Sequence, residues 1–267
     1  MEEDLYSIGA KYYDGAYQNN PNLNDAPFYL DLARRYGGPV LEIACGTGRI
    51  LLEIAREGIE ISGIDSSGDQ LAILNSKLLT EPERTRNLVK TFRDDMRTFS
   101  LDRKFRLVII PFRPMQHMYT IEDQISALNA AKAHLLPDGI LAFDVFYPNY
   151  TMLLQPLGEE MFEVEWRPVP DKPESVMRRY FRRTKVDFLH QYFDGEFIYR
   201  TFEGDRLIKE ERAPLKLGYY TYPHLLLLFR HCGLEVVEQY GDFTGEPIDI
   251  CKEMIFLLRS ATSQPAP

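Results

Sequence analysis

The chain has 267 residues, 45% of them hydrophobic and 27% charged, and a formal net charge of −9 at pH 7. That length and apolar content suffice for one large globular domain, or for a domain with a sizeable insertion, and exclude a chain too polar to bury a core. The acidic balance weighs against a protein whose main partner is a phosphate backbone, because such affinity rests on Lys and Arg.

Residues 4–20 carry Tyr6, Tyr12, Tyr13 and Tyr17 and read as a short helical or irregular arm. The turn-rich stretch Pro21 to Pro27 leads to a helix marked by Phe28, Leu30, Leu32, Ala33 and Tyr36, which Gly37-Gly38 ends. Val40, Leu41 and Ile43 read as a short buried strand and Gly46-Thr47-Gly48 as a tight turn. Ile50, Leu51, Leu52, Ile54 and Ala55 then open an amphipathic helix. Ile59 to Ile64 is a second strand, and Ser66-Ser67 offers an N-cap to a helix carrying Leu71, Leu74 and Leu78. After a loop at Glu81-Pro82-Glu83 come a third strand, Leu88 to Phe92, and a fourth, Phe105 to Pro111. The fourth is apolar enough to be buried on both faces of a parallel sheet. A helix over Ile121 to Leu136, a turn at Pro137-Asp138-Gly139 and a fifth strand, Ile140 to Phe146, complete the series.

Strands alternating with helices over residues 39–146 predict a doubly wound α/β fold with a parallel sheet. Ligands of such sheets sit outside the carboxyl ends of the strands, near the switch point. Residues 150–217 lose helical periodicity and read as three or four inserted antiparallel strands, with hairpin turns at Asp194-Gly195 and Glu203-Gly204-Asp205. The insertion is expected to cover the acceptor side of the pocket. A final helix, Tyr222 to His231, precedes strands Leu234 to Tyr240 and Cys251 to Leu258, and Ser260 to Pro267 reads as a disordered tail. The expected organisation is a core with its tyrosine-rich arm (1–149), the insertion (150–217), the end of the core (218–260) and the tail (261–267).

Cys45, Cys232 and Cys251 lie far apart and never in Cys-x-x-Cys spacing, which suggests neither a disulfide framework nor a zinc site. The acidic start, Met-Glu-Glu-Asp-Leu, lacks the apolar centre of a signal peptide, and the longest apolar runs, Leu225 to Phe229 and Met254 to Leu258, are too short to span a bilayer. A cytoplasmic protein, with no membrane or nucleic acid as partner, is the expectation.

The glycine turn fails the Gly-x-Gly-x-x-Gly pattern of dinucleotide sites, because that frame reads Ala44, Gly46, Arg49. It fits Glu42-x-Ala44-x-Gly46-x-Gly48, which resembles motif I of the class I methyltransferases that use S-adenosylmethionine (SAM). Asp65, nineteen residues after Gly46, stands where that family keeps an acid for the ribose hydroxyls, and Asp94-Asp95-Met96 resembles its adenine-contacting segment. Ala44 departs from the usual glycine. The resemblance implies a Rossmann-like methyltransferase fold with a mostly parallel seven-stranded sheet and the β-rich insertion after strand five. It also implies SAM as cofactor and S-adenosyl-L-homocysteine as product; no carboxylate pair or His cluster has metal-ligand spacing, so no metal is expected. The implied cofactor residues are Tyr13, Glu42, Ala44, Cys45, Gly46, Thr47, Gly48, Asp65, Ser66, Asp94, Asp95, Met96, Pro111 and Phe112.

Methyl transfer from a sulfonium is an in-line displacement, and alignment alone supplies roughly 7–11 kcal/mol. A base helps when the nucleophile arrives as an ammonium or a hydroxyl. His117, just past the fourth strand, is the best-placed imidazole for that role; His134, His190, His224 and His231 read as structural. The tyrosine-rich arm, the Gln116-His117 pair and the insertion look like the sugar amino N,N-dimethyltransferases, in which Tyr6 and His117 match the residues at the substrate amine. Tyr17, Arg113, Gln116, Arg178, Tyr180 and Tyr219 complete the expected acceptor side. In the run Arg178 to Arg183, strand alternation puts Arg178, Tyr180 and Arg182 on one face and Arg179, Phe181 and Arg183 on the other. One face would be solvated, or would meet an anionic acceptor. The expected reaction is methylation of a small-molecule amine by a monomer or homodimer. O-methylation of a hydroxyl or carboxylate, and SAM binding without catalysis, are the alternatives.

Overall fold

A computed structural model describes residues 7–18, 23–167, 175–250 and 252–261. Tyr6, the start of the Pro21 connector, Cys251 and residues 262–267 of the expected tail lie outside the described residues. In chain order the elements are α1 (Ser7–Gln18), α2 (Asp25–Tyr36), β1 (Val40–Ile43), α3 (Leu51–Arg56), β2 (Ile61–Asp65), α4 (Gly68–Thr80), α5 (Glu83–Arg86), β3 (Val89–Arg93), β4 (Phe105–Ile110) and α6 (Ile121–Ala133). They continue with β5 (Leu135–Phe146), α7 (Tyr150–Leu153), β6 (Glu160–Trp166), β7 (Ser175–Asp187), β8 (Tyr192–Glu203), β9 (Arg206–Gly218), α8 (Tyr222–His231), β10 (Leu234–Tyr240) and β11 (Glu253–Ser260). No described helix is long and apolar enough to cross a membrane.

Contacts divide the chain into two compact units. The larger, residues 24–148 with 219–261, holds a seven-stranded sheet ordered β10-β11-β5-β4-β1-β2-β3. β1 runs parallel to both β2 and β4, with Val40 opposite Ile61 on one side and Leu107 on the other. β11 is antiparallel to β5 and to β10. Period-2 alternation sends the strands' side chains into two separate cores. Leu41, Ile43, Val108, Ile110 and Phe143 pack with α6 and α8, while Val40, Leu107, Ile109 and Ala142 pack with α2, α3 and α4. This is the doubly wound α/β sheet, and its order reverses between β1 and β4.

Three local readings are corrected. The Pro137-Asp138-Gly139 stretch is not a turn before β5 but a bulge within it, where the register against β4 slips between Phe105 and Leu107. A Cβ on Gly139 would stand 2.9 Å from the Phe105 carbonyl oxygen, so the glycine answers a close backbone approach. α6 accordingly ends at Ala133, and part of the expected loop after α4 is the short α5.

The smaller unit combines α1 with the insertion, so the arm groups with the inserted strands and not with the sheet expected to own it. β6, β7, β8 and β9 form an antiparallel meander, and Tyr12 and Ala16 of α1 pack against Val164, Trp166, Met177, Tyr199 and Ala213. Tyr12 stacks on Tyr199 at 4.7 Å between centroids, and its hydroxyl donates to Glu211. Asp194-Gly195 is no hairpin turn: Gly195 lies inside β8, opposite Arg183 and Leu215, and the reversal falls at residues 188–191. A Cβ there would come within 2.7 Å of the Phe181 ring. The turn at Gly204 is where the sequence puts it.

Candidate active site

The larger unit gathers Glu42, residues 44–48, Asp65, Asp94 and residues 111–117 at the carboxyl ends of β1, β2, β3 and β4. Ala44, Gly46 and Gly48 all have positive φ, of 58°, 53° and 80°. Gly48 is required by packing, since a Cβ would overlap Leu74 at 2.2 Å, whereas a Cβ on Gly46 would meet only Gln70 Oε1 at 3.5 Å. Asp65 ties the turn to α4: Oδ2 accepts from Gly46 N–H and Oδ1 from Ser67 N–H, both at 2.8 Å. Ser67 in turn caps α4 by accepting from Gln70 N–H. Cys45 is buried, its N–H donates to Ile64, and the Thr47 carbonyl accepts from Lys77. Ser66 gives its carbonyl to Arg93.

Glu42 is nearly fully buried and its Oε2 makes no hydrogen bond to a described residue. Burial pushes its carboxyl well above the usual range, with Arg49 opposing. Asp94 caps its own turn by accepting from Asp95 N–H, and Asp95 is held by Arg97, which keeps its carboxyl below the usual range. Met96 packs on the α6-side core.

Past β4 the chain makes an unusual turn. Pro111 is buried, and Phe112 and Arg113, consecutive and non-glycine, have φ of 66° and 69°. The 3₁₀ turn Pro114–His117 follows and is clamped from α6, from β5 and from the loop before α8. The Tyr220 hydroxyl donates between the Met115 and Met118 carbonyls, Gln124 Nε2 donates to the Met118 carbonyl, and the fully buried Gln116 accepts from Phe146 N–H. Gln116 thus braces the turn. His117 stands half-buried on it, its Nδ1 3.4 Å from the Tyr119 hydroxyl. Arg113 pairs with Glu253 and lies near the Phe112 and Phe146 rings, and Tyr219 is buried in this unit.

The remaining expected residues lie in the smaller unit. Tyr13 and Tyr17 pack 4.4 Å apart between ring centroids. Arg178 pairs with Glu165 at 2.7 Å, and Arg200 lies over the Tyr180 ring at 4.9 Å while pairing with Glu160 and Glu210. The alternation along β7 holds: Arg179 and Arg183 are buried on the opposite face, Arg179 between Glu163 and the Tyr17 and Phe197 rings.

Four residues escaped the sequence reading: Asp25 and Arg49, a bidentate pair at 2.8 and 2.6 Å, and Tyr29 and Asp144, joined at 2.6 Å. Only Asp144 carried a signal, as an acid inside an otherwise apolar strand. Among the described residues no group of His, Cys, Asp and Glu has the arrangement of a metal site.

The site suits SAM. Glu42 offers a buried oxygen without a partner among the described residues, and the Gly46 turn leaves room beside the backbone. A methyltransferase-domain family matches residues 40–139. YqeM of Bacillus subtilis (strain 168), whose name gives methyltransferase and no acceptor, is 32% identical over 94% of this chain and 95% of its own length. The dTDP-3-amino-3,6-dideoxy-alpha-D-glucopyranose N,N-dimethyltransferase of Streptomyces fradiae is 31% identical over 45% of this chain and 46% of its own. In fold, the chain is similar to SAM-bound CalS10 of Micromonospora echinaspora, an amino pentose methyltransferase, with TM-score 0.69, 20% identity and 98% coverage of both chains. The chain belongs to the methyltransferase family. It is a SAM-dependent methyltransferase.

Proposed function

We propose that the acceptor is a small molecule bearing an amine, and that the methyl group passes to its nitrogen by in-line displacement with His117 taking the proton. The observation that carries nitrogen over a carboxylate is the charge at the carboxyl edge. Arg49 and Arg113 are each committed to a buried carboxylate, Asp25 and Glu253, and burial pushes the other two acids, Glu42 and Asp144, toward their neutral forms. With its guanidiniums already paired, such a surround does little to attract a carboxylate acceptor. SAM, when bound, supplies the methyl group from its sulfonium. The clamped turn at residues 114–117 holds the imidazole in place, and the amine's proton goes to His117 as the new carbon–nitrogen bond forms. The acceptor in the name of the Streptomyces fradiae relative, a dTDP-linked amino sugar, carries such an amine.

The test is a panel of amines and matched alcohols and carboxylates, read as S-adenosyl-L-homocysteine formed. Amines are expected to turn over, and His117→Asn to lower kcat by about 10²–10⁴-fold with SAM binding retained. Turnover confined to alcohols or carboxylates would overturn the nitrogen reading, and an active His117→Asn at neutral pH would remove the base.

A further inference from the structure

Two consecutive non-glycine residues in the left-handed region are strained, and persist only where their surroundings over-determine them. For Phe112 and Arg113 the surroundings are specific. Phe112 N–H donates to Asp144 Oδ1 at 2.8 Å, and Tyr29 O–H donates to the same oxygen at 2.6 Å. Arg113 is held by Glu253 of β11, and its carbonyl accepts from Gln116 N–H at 3.0 Å. Asp144 has no exposed surface, lies opposite Ile255 within the seven-stranded sheet, and its Oδ2 makes no hydrogen bond to a described residue. A buried carboxyl with a spare oxygen is a costly way to fill a sheet position. It is, however, the side chain whose hold on a backbone N–H changes with ionisation.

We propose that Asp144 is a positioning residue for the methyl-transfer site: its carboxylate grips Phe112 N–H, fixes the left-handed turn that leads to His117, and slackens that grip when it takes up a proton. The groups facing it are Asp25 and Tyr29 from α2, Arg113 from the turn after β4 and Glu253 from β11. Burial first and Glu253 second push the Asp144 carboxyl up to about 7, against the Tyr29 hydrogen bond and Arg113. The ionised form therefore prevails above neutrality, where Phe112 N–H has a charged acceptor, and the protonated form below it, where that bond weakens. The link to chemistry rests on the reading of His117 as the group at the acceptor.

The test needs no acceptor. In protein labelled with 15N-phenylalanine and 13C-histidine, the Phe112 amide is expected to move downfield with a midpoint near pH 7. The His117 ring resonance should show the same inflection besides its own titration. Asp144→Asn keeps an oxygen for both donors but cannot ionise. It should leave the Phe112 amide flat between pH 5.5 and 8.5 and remove the shared inflection from His117, while a SAM-induced rise in melting temperature shows that the variant is folded. Tyr29→Phe removes a bond that favours the ionised form and should move the midpoint upward. A Phe112 amide without a titration in the native chain, a midpoint that survives Asp144→Asn, or a His117 resonance indifferent to that substitution overturns the proposal. The base assignment fails separately: His117→Asn would keep its turnover in the amine panel while the Phe112 titration stayed as described.

Discussion

Arg49, one residue past the glycine turn, closes a bidentate pair on Asp25 at the start of α2, whose carboxylate has no exposed surface. The pair also sets the Arg49 guanidinium 5.3 Å from the centroid of the Phe112 ring. Removing one member strands the other charge. Arg49→Met should destabilise the fold by about 3–5 kcal/mol in urea unfolding, whereas Asp25→Leu combined with Arg49→Met should recover much of that loss. A single substitution costing under about 1 kcal/mol would mean that water reaches the stranded carboxylate.

The two glycines of motif I serve different purposes. Gly48→Ala places a methyl group onto Leu74 and should lower stability by about 1–3 kcal/mol through overpacking and a strained φ. Gly46→Val meets more space in the protein but a strained φ of 53°, so it should cost stability through the backbone and, beyond that, remove the SAM-induced rise in melting temperature. Equal SAM-induced shifts in the two variants would break this division of roles.

Ala44 sits at φ 58°, where its methyl group costs roughly 1–2 kcal/mol. Glycine relieves that strain but gains freedom in the unfolded chain. Ala44→Gly should therefore raise stability by about 0.5–1 kcal/mol in chemical denaturation. A loss would show that the methyl group is better accommodated than the backbone angle implies.

Asp144 makes stability depend on pH in a direction opposite to that of a salt-bridged acid. Its carboxyl rises from its ordinary range to about 7 on folding. From roughly pH 4, the unfolded value, up to 7, the folded chain keeps a proton that the unfolded chain releases, so this group's contribution declines as pH rises. Asp144→Asn is free of that decline. Relative to the native chain it should gain about 2.5 kcal/mol between pH 5 and pH 8. Parallel pH curves for the two proteins would show that Asp144 is not the group that titrates.

The fold was legible where local signals agree with the global pattern. The strand–glycine turn–helix at Val40 to Ala55 and the helix Tyr222–His231 stand where periodicity and glycine place them. Gly195 and Gly139 misled because a glycine demanded by a neighbour's approach reads like one demanded by a turn. The Phe112-Arg113 turn has no glycine to announce it. The Tyr29–Asp144 bond joins residues 115 positions apart, a separation over which composition and period carry no information. The alternation in Arg178 to Arg183 was readable, but which face would be buried was set by α1, an element with no local tie to β7.

The contact between α1 and β6 has a practical use. The sequence holds one tryptophan, Trp166, and it is buried against α1 so closely that a Cβ on Gly15 would fall 2.3 Å from the indole nitrogen. Intrinsic emission excited at the indole therefore reports on the arm and the inserted strands, while circular dichroism reports on both units. Followed together through a urea titration, the two signals form a built-in pair of reporters for whether the methyl-donor half and the appended half melt as one.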